Sequence, residues 1–254
     1  MKALRDTRLL FGRHILQMLR NPVWLFVGFS TPILYLALFT PLLKHFEGSG
    51  AVSNGVVLGL FLPGILSLLA FASGGSAGFS TIFELQAGVI ERFRVTPASR
   101  FAILIGPILS GLTMMLVFDV VVVAVGAAFG FSVHWWGLAV LAVLLCLLAA
   151  LMAAFSIAMA LLTKDISSFA AIINGLNLPL LLLAGVLLPI SPGGPLWMRV
   201  LAHFNPLFYL VQASRVLAAG NFARTAVWQA FAVLVPLCAL VLAWATRVFR
   251  TAVS

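Results

Sequence analysis

Charged side chains are the scarcest component of this sequence. Asp, Glu, Lys and Arg make up 8% of its 254 residues, whereas apolar residues make up 63%. A typical soluble domain carries about 25% charged residues, so this composition leaves no room for one. The chain is therefore predicted to be a membrane protein throughout, with residues 1–254 forming a single domain.

Several sequence motifs that carry chemistry are also absent. No G-x-x-x-x-G-K-[ST] segment occurs, so this chain does not hydrolyse ATP through a P-loop. Its two cysteines, Cys146 and Cys238, lie inside apolar runs and are expected to be small apolar residues. The four histidines lack metal-ligand spacing, and no Ser–His–Asp set can be argued. We therefore expect no catalytic residue, metal or cofactor in this chain.

What the sequence does contain is a series of six long apolar runs. Each is long enough to cross a hydrocarbon core of about 30 Å, which takes about 20 helical residues. Backbone polar groups in lipid must be satisfied internally, so runs of this length predict α-helices. The predicted fold is an all-α membrane protein with six transmembrane helices, at Val23–Leu43, Gly55–Phe83, Phe101–Phe131, Trp136–Thr163, Ser167–Pro189 and Ala226–Val248.

The distribution of positive charge predicts the orientation of these helices. If the N-terminus is cytoplasmic, the inner segments carry eleven of the fifteen Lys and Arg residues and the outer segments carry four. This positive-inside bias predicts that both termini face the cytoplasm. The net charge of +9 then reflects orientation and contact with anionic headgroups, and it is no evidence for nucleic-acid binding.

Three segments outside the apolar runs have distinct patterns. Residues 1–22 are predicted to form a basic amphipathic helix in the inner membrane interface, either as a topology anchor or as a docking surface. The inner loop Glu84–Arg100 concentrates charge of both signs, so it is either a solvated loop or a partner surface. Residues 190–225 alternate helix breakers with short apolar stretches, which suggests re-entrant helices in the outer leaflet.

A few polar or small residues lie inside the predicted spans. Asp119 is the only acid among them, and an ionisable residue in a membrane suggests a function, here a proton relay. The structural alternative is that Asp119 faces a wet cavity or pairs with a neighbouring polar group. Asn174 and Asn177 share one helix face and either bond across helices or line a pathway. Gly74 and Gly78 form a GxxxG pair, which predicts close helix packing.

Two of these segments resemble those of a known family. Ala87–Arg100, AGVIERFRVTPASR, is similar to a G-x-x-E-R-x-R-x-x-P-x-x-R motif. Leu182–Arg215 is similar to a signature of the form SGV-x-x-P … NP-L-x-Y … R. With the amphipathic N-terminal helix and the short C-terminal tail, they resemble the membrane permease of ABC type-2 exporters, in the daunorubicin-resistance and nodulation-export branch. The likeness covers almost the whole chain.

The resemblance implies a half-transporter in a bacterial cytoplasmic membrane. Two permeases, identical or paralogous, would pair, and separate ATPase subunits would bind ATP and Mg²⁺ and drive transport. In that family the loop after the second span is a coupling helix seated in the ATPase, which implies ATPase contacts for Gly88, Glu91, Arg92, Arg94, Pro97 and Arg100. The resemblance also makes the first and fifth spans candidates for the dimer seam, with Asn174 and Asn177 near it, and implies an outer signature of Asn205, Pro206, Tyr209 and Arg215. Asp119 is added to the pathway or seam candidates because it is an ionisable residue inside a span.

Three classes of function remain to be compared. The first is export of a hydrophobic or amphipathic compound, such as a drug, a lipid or a glycolipid, with antibiotic resistance as one outcome. The alternative is a proton-coupled secondary transporter with Asp119 as relay, which accounts for the missing P-loop but not for the charged loop. A membrane-embedded enzyme would need a convergent polar constellation, for which only Asp119, Asn174 and Asn177 are available.

Overall fold

The computed structural model describes residues 54–88, 100–131, 134–186, 195–220 and 225–252, together with separate short groups of residues between 11 and 38. Within these ranges the chain is nearly all helical and has no strand. Five of the described helices are long and apolar enough to cross a membrane. The helices are α1 Asn54–Gln86, α2 Arg100–Ala128, α3 Trp135–Thr163, α4 Ile166–Ala184, α5 Leu196–His203, α6 Pro206–Ala218 and α7 Thr225–Ala252.

The first predicted span, Val23–Leu43, lies only partly within the described residues. The residues that are described there are helical. Because the rest of the span is not described, the expected count of six spans is not established. A Cβ atom built on Gly28 would lie 2.7 Å from Cζ of Phe118. This part of the chain therefore packs closely against α2.

The predicted loop Glu84–Arg100 was wrong at both ends. Helix α1 continues through Gln86, and the chain leaves the helix at Gly88, whose φ is +67°. The Ala87 amide donates to the Phe83 carbonyl at 2.9 Å, and the Gly88 amide donates to the Leu85 carbonyl at 3.0 Å. The polar residues Glu84 and Gln86 therefore do not end the helix. The chain turns out of it at Gly88, because a glycine adopts the left-handed conformation easily. Arg100 is already the first residue of α2.

Three other predicted boundaries also need correction. The third run was expected to reach Phe131, but α2 ends at Ala128 and the chain turns at Gly130, with φ of +101°. The fifth was expected to reach Pro189, but α4 ends at Ala184 because Gly185 adopts a left-handed C-cap. Thr225, assigned to the outer segment, begins α7. Residues 187–194 lie outside the described residues.

Helix α3 lies at the centre of the bundle and packs against α1, α2, α4, α6 and α7. Its Leu and Ala side chains fill the core, and Leu144 and Leu148 are fully buried. The other long described helices each contain one internal proline, whereas α3 has none: Pro63 in α1, Pro107 in α2, Pro179 in α4 and Pro236 in α7.

Helices α1 and α3 pack closely at the GxxxG pair. A Cβ on Gly74 would meet the Ala149 carbonyl oxygen at 2.6 Å, and one on Gly78 would meet the Ser156 hydroxyl at 2.5 Å. The Ser156 hydroxyl donates to the Gly75 carbonyl at 2.6 Å and accepts from the Gly78 amide at 2.9 Å. The predicted packing role of Gly74 and Gly78 is confirmed.

Candidate functional site

The predicted coupling loop begins beside the N-terminal segment. His14 Nε2 lies 3.7 Å from Glu84 Oε1, in the last turn of α1, and both side chains are mostly buried. The described residues stop at Gly88 and resume at Arg100. Glu91, Arg92, Arg94 and Pro97 lie outside the described residues, and only the backbone of Arg100 is described. The structure therefore places Glu84, four residues before Gly88, beside His14, but it does not assemble the predicted set.

The N-terminal segment is helical where it is described. Phe11 and Ile15 are partly buried, as expected for the apolar face of an amphipathic helix, whereas Leu16 and Leu19 are exposed. Residues 1–10 lie outside the described residues. Sequence reasoning missed the His14–Glu84 contact, because it joins residues 70 positions apart and neither lies in a recognisable motif.

At the opposite end of the bundle, Asn205 connects two helices. Its Oδ1 accepts from the Leu207 amide at 3.0 Å and so caps α6, whose first residue is Pro206. Its Nδ2 donates to the Leu180 carbonyl in α4 at 2.6 Å. Asn205 is buried, so both bonds are shielded from competing water. One carboxamide thus begins α6 and fixes it to α4.

Arg215 and Tyr209 extend this connection. Arg215 Nη2 donates to the carbonyls of Gly185, at 2.7 Å, and Val186, at 3.2 Å, just beyond the C-terminus of α4. The Tyr209 hydroxyl donates to the carbonyl of His203, the last residue of α5, at 3.0 Å. We call Asn205, Tyr209 and Arg215 the outer clamp. The hydrogen bonds that the clamp donates all go to backbone carbonyls, several of which have no partner inside a helix.

Asp119 lies in the middle of α2 and is 6% exposed. It faces the protein interior and not the lipid. Neither carboxylate oxygen has a hydrogen-bond partner among the described residues, so the described part of the chain does not supply the polar neighbour that the structural alternative expected. A buried carboxylate without a partner is costly, which keeps Asp119 a candidate for function.

Asn174 and Asn177 lie on α4, the least buried of the candidate spans. Only Phe169 and Ala184 of this helix are buried. Asn174 is exposed, and Asn177 is half-buried with an Oδ1 atom that has no partner among the described residues. Helices α2 and α4 do not contact each other. The structure therefore does not bring Asp119 together with the two asparagines.

The start of α4 carries a capping site that sequence reasoning missed. Asp165 Oδ2 accepts hydrogen bonds from the Ser167 hydroxyl at 2.6 Å, the Ser168 amide at 2.8 Å and the Ser168 hydroxyl at 2.8 Å. The Ser167 hydroxyl, followed by the two Ser168 groups, holds the pKa of Asp165 well below its ordinary value. The Asp-x-Ser-Ser pattern before an apolar run was a usable capping signal.

Comparison with known proteins fits this architecture. Nearly all-helical structure with five candidate spans defines a multi-pass membrane protein. Residues 5–218 match the family model described as ABC-2 type transporter. The chain belongs to that family.

Named relatives agree with the family match. A Cyanophora paradoxa homologue named transport permease ycf38 is 32% identical over 220 residues, covering 84% of this chain and 74% of that protein. A Pyropia yezoensis homologue of the same name is 24% identical over 216 residues, covering 84% and 74%. The daunorubicin resistance ABC transporter permease protein DrrB1 of Streptomyces coeruleorubidus is 27% identical over 206 residues, covering 79% and 70%.

Proposed function

We propose that this chain is the transmembrane subunit of an ATP-binding-cassette exporter. It moves a hydrophobic or amphipathic compound, such as a drug, a lipid or a glycolipid, out of the cytoplasm or the inner leaflet. The observation that carries the proposal is the family match over residues 5–218, in a chain without a P-loop. A separate ATPase subunit then binds ATP and Mg²⁺. The name of the relative DrrB1 supports a drug as one class of cargo.

The proposal includes an assembly and an orientation. The family implies an ATPase partner and dimerisation in general, and here two permease copies, or this chain and a paralogue, would form the transport unit. Residues 1–254 act as one permease domain in a bacterial cytoplasmic membrane, with both termini in the cytoplasm and residues 190–225 re-entering from outside. The excess of Lys and Arg in the inner segments supports this orientation.

The ATPase contact is proposed for the loop after α1, through Gly88, Glu91, Arg92, Arg94, Pro97 and Arg100. Two observations support it. The loop leaves α1 at a left-handed glycine, so its direction is set by the backbone of Gly88. The His14–Glu84 contact joins the N-terminal segment to the turn just before the loop, so force on either segment reaches α1.

Charge reversal in this loop tests the coupling role. Glu91→Lys combined with Arg92→Glu should leave the permease inserted, reduce recovery of the ATPase in pull-downs and abolish export. Stranding one member of a charge pair at a partly desolvated interface costs about 2–5 kcal/mol. Reversal of an exposed charge elsewhere, Arg247→Glu in α7, is the control and should retain the ATPase. Normal export by the double variant with its ATPase bound would show that the loop is only a linker.

The second candidate, a proton-coupled transporter, is favoured by one observation, the buried and unpartnered carboxyl of Asp119. The two functions differ in energy source. An ATP-driven exporter continues to transport when the proton gradient is collapsed and ATP is intact. In that case Asp119→Asn retains most transport, because no step needs a titrating group at this position. Complete loss of transport by Asp119→Asn, with normal expression and ATPase assembly, would favour the relay.

A further inference from the structure

A cavity of about 280 Å³ opens beside the outer clamp, between α5, α6 and α7. His203, Tyr209 and Gln212 line one side of it, and Gln229, Ala232 and Val233 of α7 line the other. Small-molecule sites usually have volumes of about 300–1,000 Å³ and combine apolar walls with a few convergent polar groups. This cavity lies just below that range, so it fits a headgroup better than a whole amphiphile.

The hydrogen bonds already made by His203 and Tyr209 determine what they offer to a ligand. His203 Nδ1 lies 2.7 Å from the Arg199 carbonyl, which only accepts, so Nδ1 carries the hydrogen. In the neutral ring, Nε2 is then an acceptor. The Tyr209 hydroxyl gives its hydrogen to the His203 carbonyl, which leaves its oxygen lone pairs available. With a neutral imidazole, both side chains therefore present acceptors to the cavity.

Two glutamines complete the polar lining. Gln212 of α6 and Gln229 of α7 line the cavity, and neither carboxamide hydrogen-bonds to another described residue. Each offers a donor and an acceptor. The Ala232 carbonyl adds a further acceptor, because its helical partner at position 236 is Pro236, which has no N–H group. The polar lining is thus richer in acceptors than in donors.

This lining selects the charge and chemistry of a ligand. None of the described lining residues is Asp, Glu, Lys or Arg, so nothing there balances a full charge. An excess of acceptors suits a ligand that carries several hydroxyl donors and disfavours a phosphate or carboxylate, which only accepts. The rings of Phe208 and Tyr209, with centroids 5.7 Å apart, supply the apolar surface that a sugar ring or similar group also needs.

The surroundings place the cavity at the depth of lipid headgroups. Trp197 on α5 is 64% exposed, Phe204 at its C-terminus is 82% exposed, and Trp228 on α7 is 71% exposed. Exposed aromatic side chains clustered at the ends of membrane helices mark the interface between hydrocarbon and headgroups. A headgroup in the cavity would therefore leave its acyl chains beside Ala232 and Val233, towards the hydrocarbon.

We propose that this cavity binds the uncharged, hydroxyl-bearing headgroup of a membrane amphiphile, as found in glycosyl lipids. The amphiphile is either a resident lipid or cargo on its way out, and the binding chemistry is the same. The site itself does not depend on the proposed transport function, because binding is a property of the permease alone.

Lipid retention by the purified full-length permease tests the site. The protein is placed in nanodiscs of phosphatidylcholine doped equally with glucosyl diacylglycerol and phosphatidylglycerol of the same acyl chains, then released and examined by native mass spectrometry. We expect preferential retention of the glucosyl lipid. Gln212→Leu combined with Gln229→Leu should reduce that retention about tenfold, since each lost hydrogen bond contributes about 0.5–1.5 kcal/mol.

The matched control is Gln86→Leu, the same exchange at an exposed glutamine at the other end of the bundle, which should retain the lipid fully. Equal retention of all three lipids, preference for the anionic lipid, or an equal loss in Gln86→Leu would overturn the proposal. Adding the ATPase and ATP distinguishes a resident lipid from cargo. ATP hydrolysis lowers the retention of a lipid that is cargo and leaves a resident lipid bound.

Discussion

Asn205 shows how one side chain in this protein fixes two helices. Its oxygen caps α6 and its nitrogen donates to the Leu180 carbonyl, so the two halves of the carboxamide have different roles. Asp is as good an N-cap as Asn, but a carboxylate cannot donate a hydrogen bond. Asn205→Asp therefore separates the capping role from the connection to α4.

We expect Asn205→Asp to lower the free energy of unfolding in mixed micelles by about 2 kcal/mol, since the buried carbonyl loses its donor and faces a negative charge. Asn205→Ser keeps a capping oxygen and introduces no charge, so its loss should be smaller, about 1 kcal/mol. If the Asp variant unfolds at the wild-type denaturant concentration, the bond to Leu180 contributes nothing to stability.

Asp165 makes a pH-dependent contribution at the start of α4. Its pKa is lowered in the folded protein by the Ser167 and Ser168 hydrogen bonds, so the ionised form favours folding. That contribution is fully present above the ordinary pKa of about 4 and is lost as the pH falls through the lower folded value.

Asp165→Ala should therefore lower the thermal midpoint by a constant amount at neutral pH, and the difference from wild type should shrink on acidification below about pH 4. Asp165→Asn can still cap the helix, so its thermal midpoint should lie between those of the wild type and Asp165→Ala. Thermal unfolding in detergent across this pH range measures the effect, and a difference that stays constant down to pH 2 would contradict it.

The sequence identified the residues of the outer clamp but not what they bind. Asn205, Tyr209 and Arg215 could be singled out by resemblance, whereas their acceptors are the carbonyls of residues such as Leu180, Gly185 and His203. Every residue has a carbonyl, so an acceptor of this kind leaves no mark in the sequence. The same limit hid the Ser156 bridge between Gly75 and Gly78.

At the scale of helices, apolar length predicted α1, α2, α3, α4 and α7 but placed several of their ends incorrectly. A run of apolar residues predicts a span because hydrophobicity is summed over about 20 positions. The end of a helix is instead set by one or two residues, here Gly88, Gly130 and Gly185 in left-handed conformations. These glycines were visible in the sequence, but other glycines lie within the same helices, such as Gly74 and Gly78.

The α1–α3 contact can be tested at two neighbouring glycines. Gly78→Ala places a methyl group against the Phe169 ring and Ser156, and it should lower the free energy of unfolding by about 1–3 kcal/mol through overpacking. Gly75→Ala is the matched control, because nothing lies within 4 Å of a Cβ there. Equal unfolding curves for the two variants would show that the α1–α3 interface accommodates the added methyl group without loss of stability.

At the scale of the whole molecule, α4 is the candidate span that is least buried by the rest of the chain. An exposed Asn174 and a half-buried Asn177 on a membrane-spanning helix face hydrocarbon unless another protein covers them. A second permease copy is the cover that the family suggests, so we propose that α4, together with the first span, forms the dimer seam.

Cysteine crosslinking tests this seam. In a background with Cys146→Ala and Cys238→Ala, which removes the native thiols, Asn174→Cys should form a disulfide-linked dimer under mild oxidation, whereas Leu240→Cys on the exposed face of α7 should not. Asn177→Cys should crosslink less, because its side chain is partly covered by its own chain. The absence of a crosslink at every exposed α4 position would exclude α4 from the seam.

The placement of proline divides the bundle into stiff and compliant parts. Pro63, Pro107, Pro179 and Pro236 each remove one rung from the hydrogen-bond ladder of their helix, whereas the ladder of α3 has no such gap. A missing rung lowers the bending resistance of a helix at that point. We therefore expect α3 to be the stiffest of the long described helices and the other four to bend at their prolines. If the proposed transport cycle opens the protein first to one side and then to the other, bending at these four prolines can accommodate it without unfolding a helix.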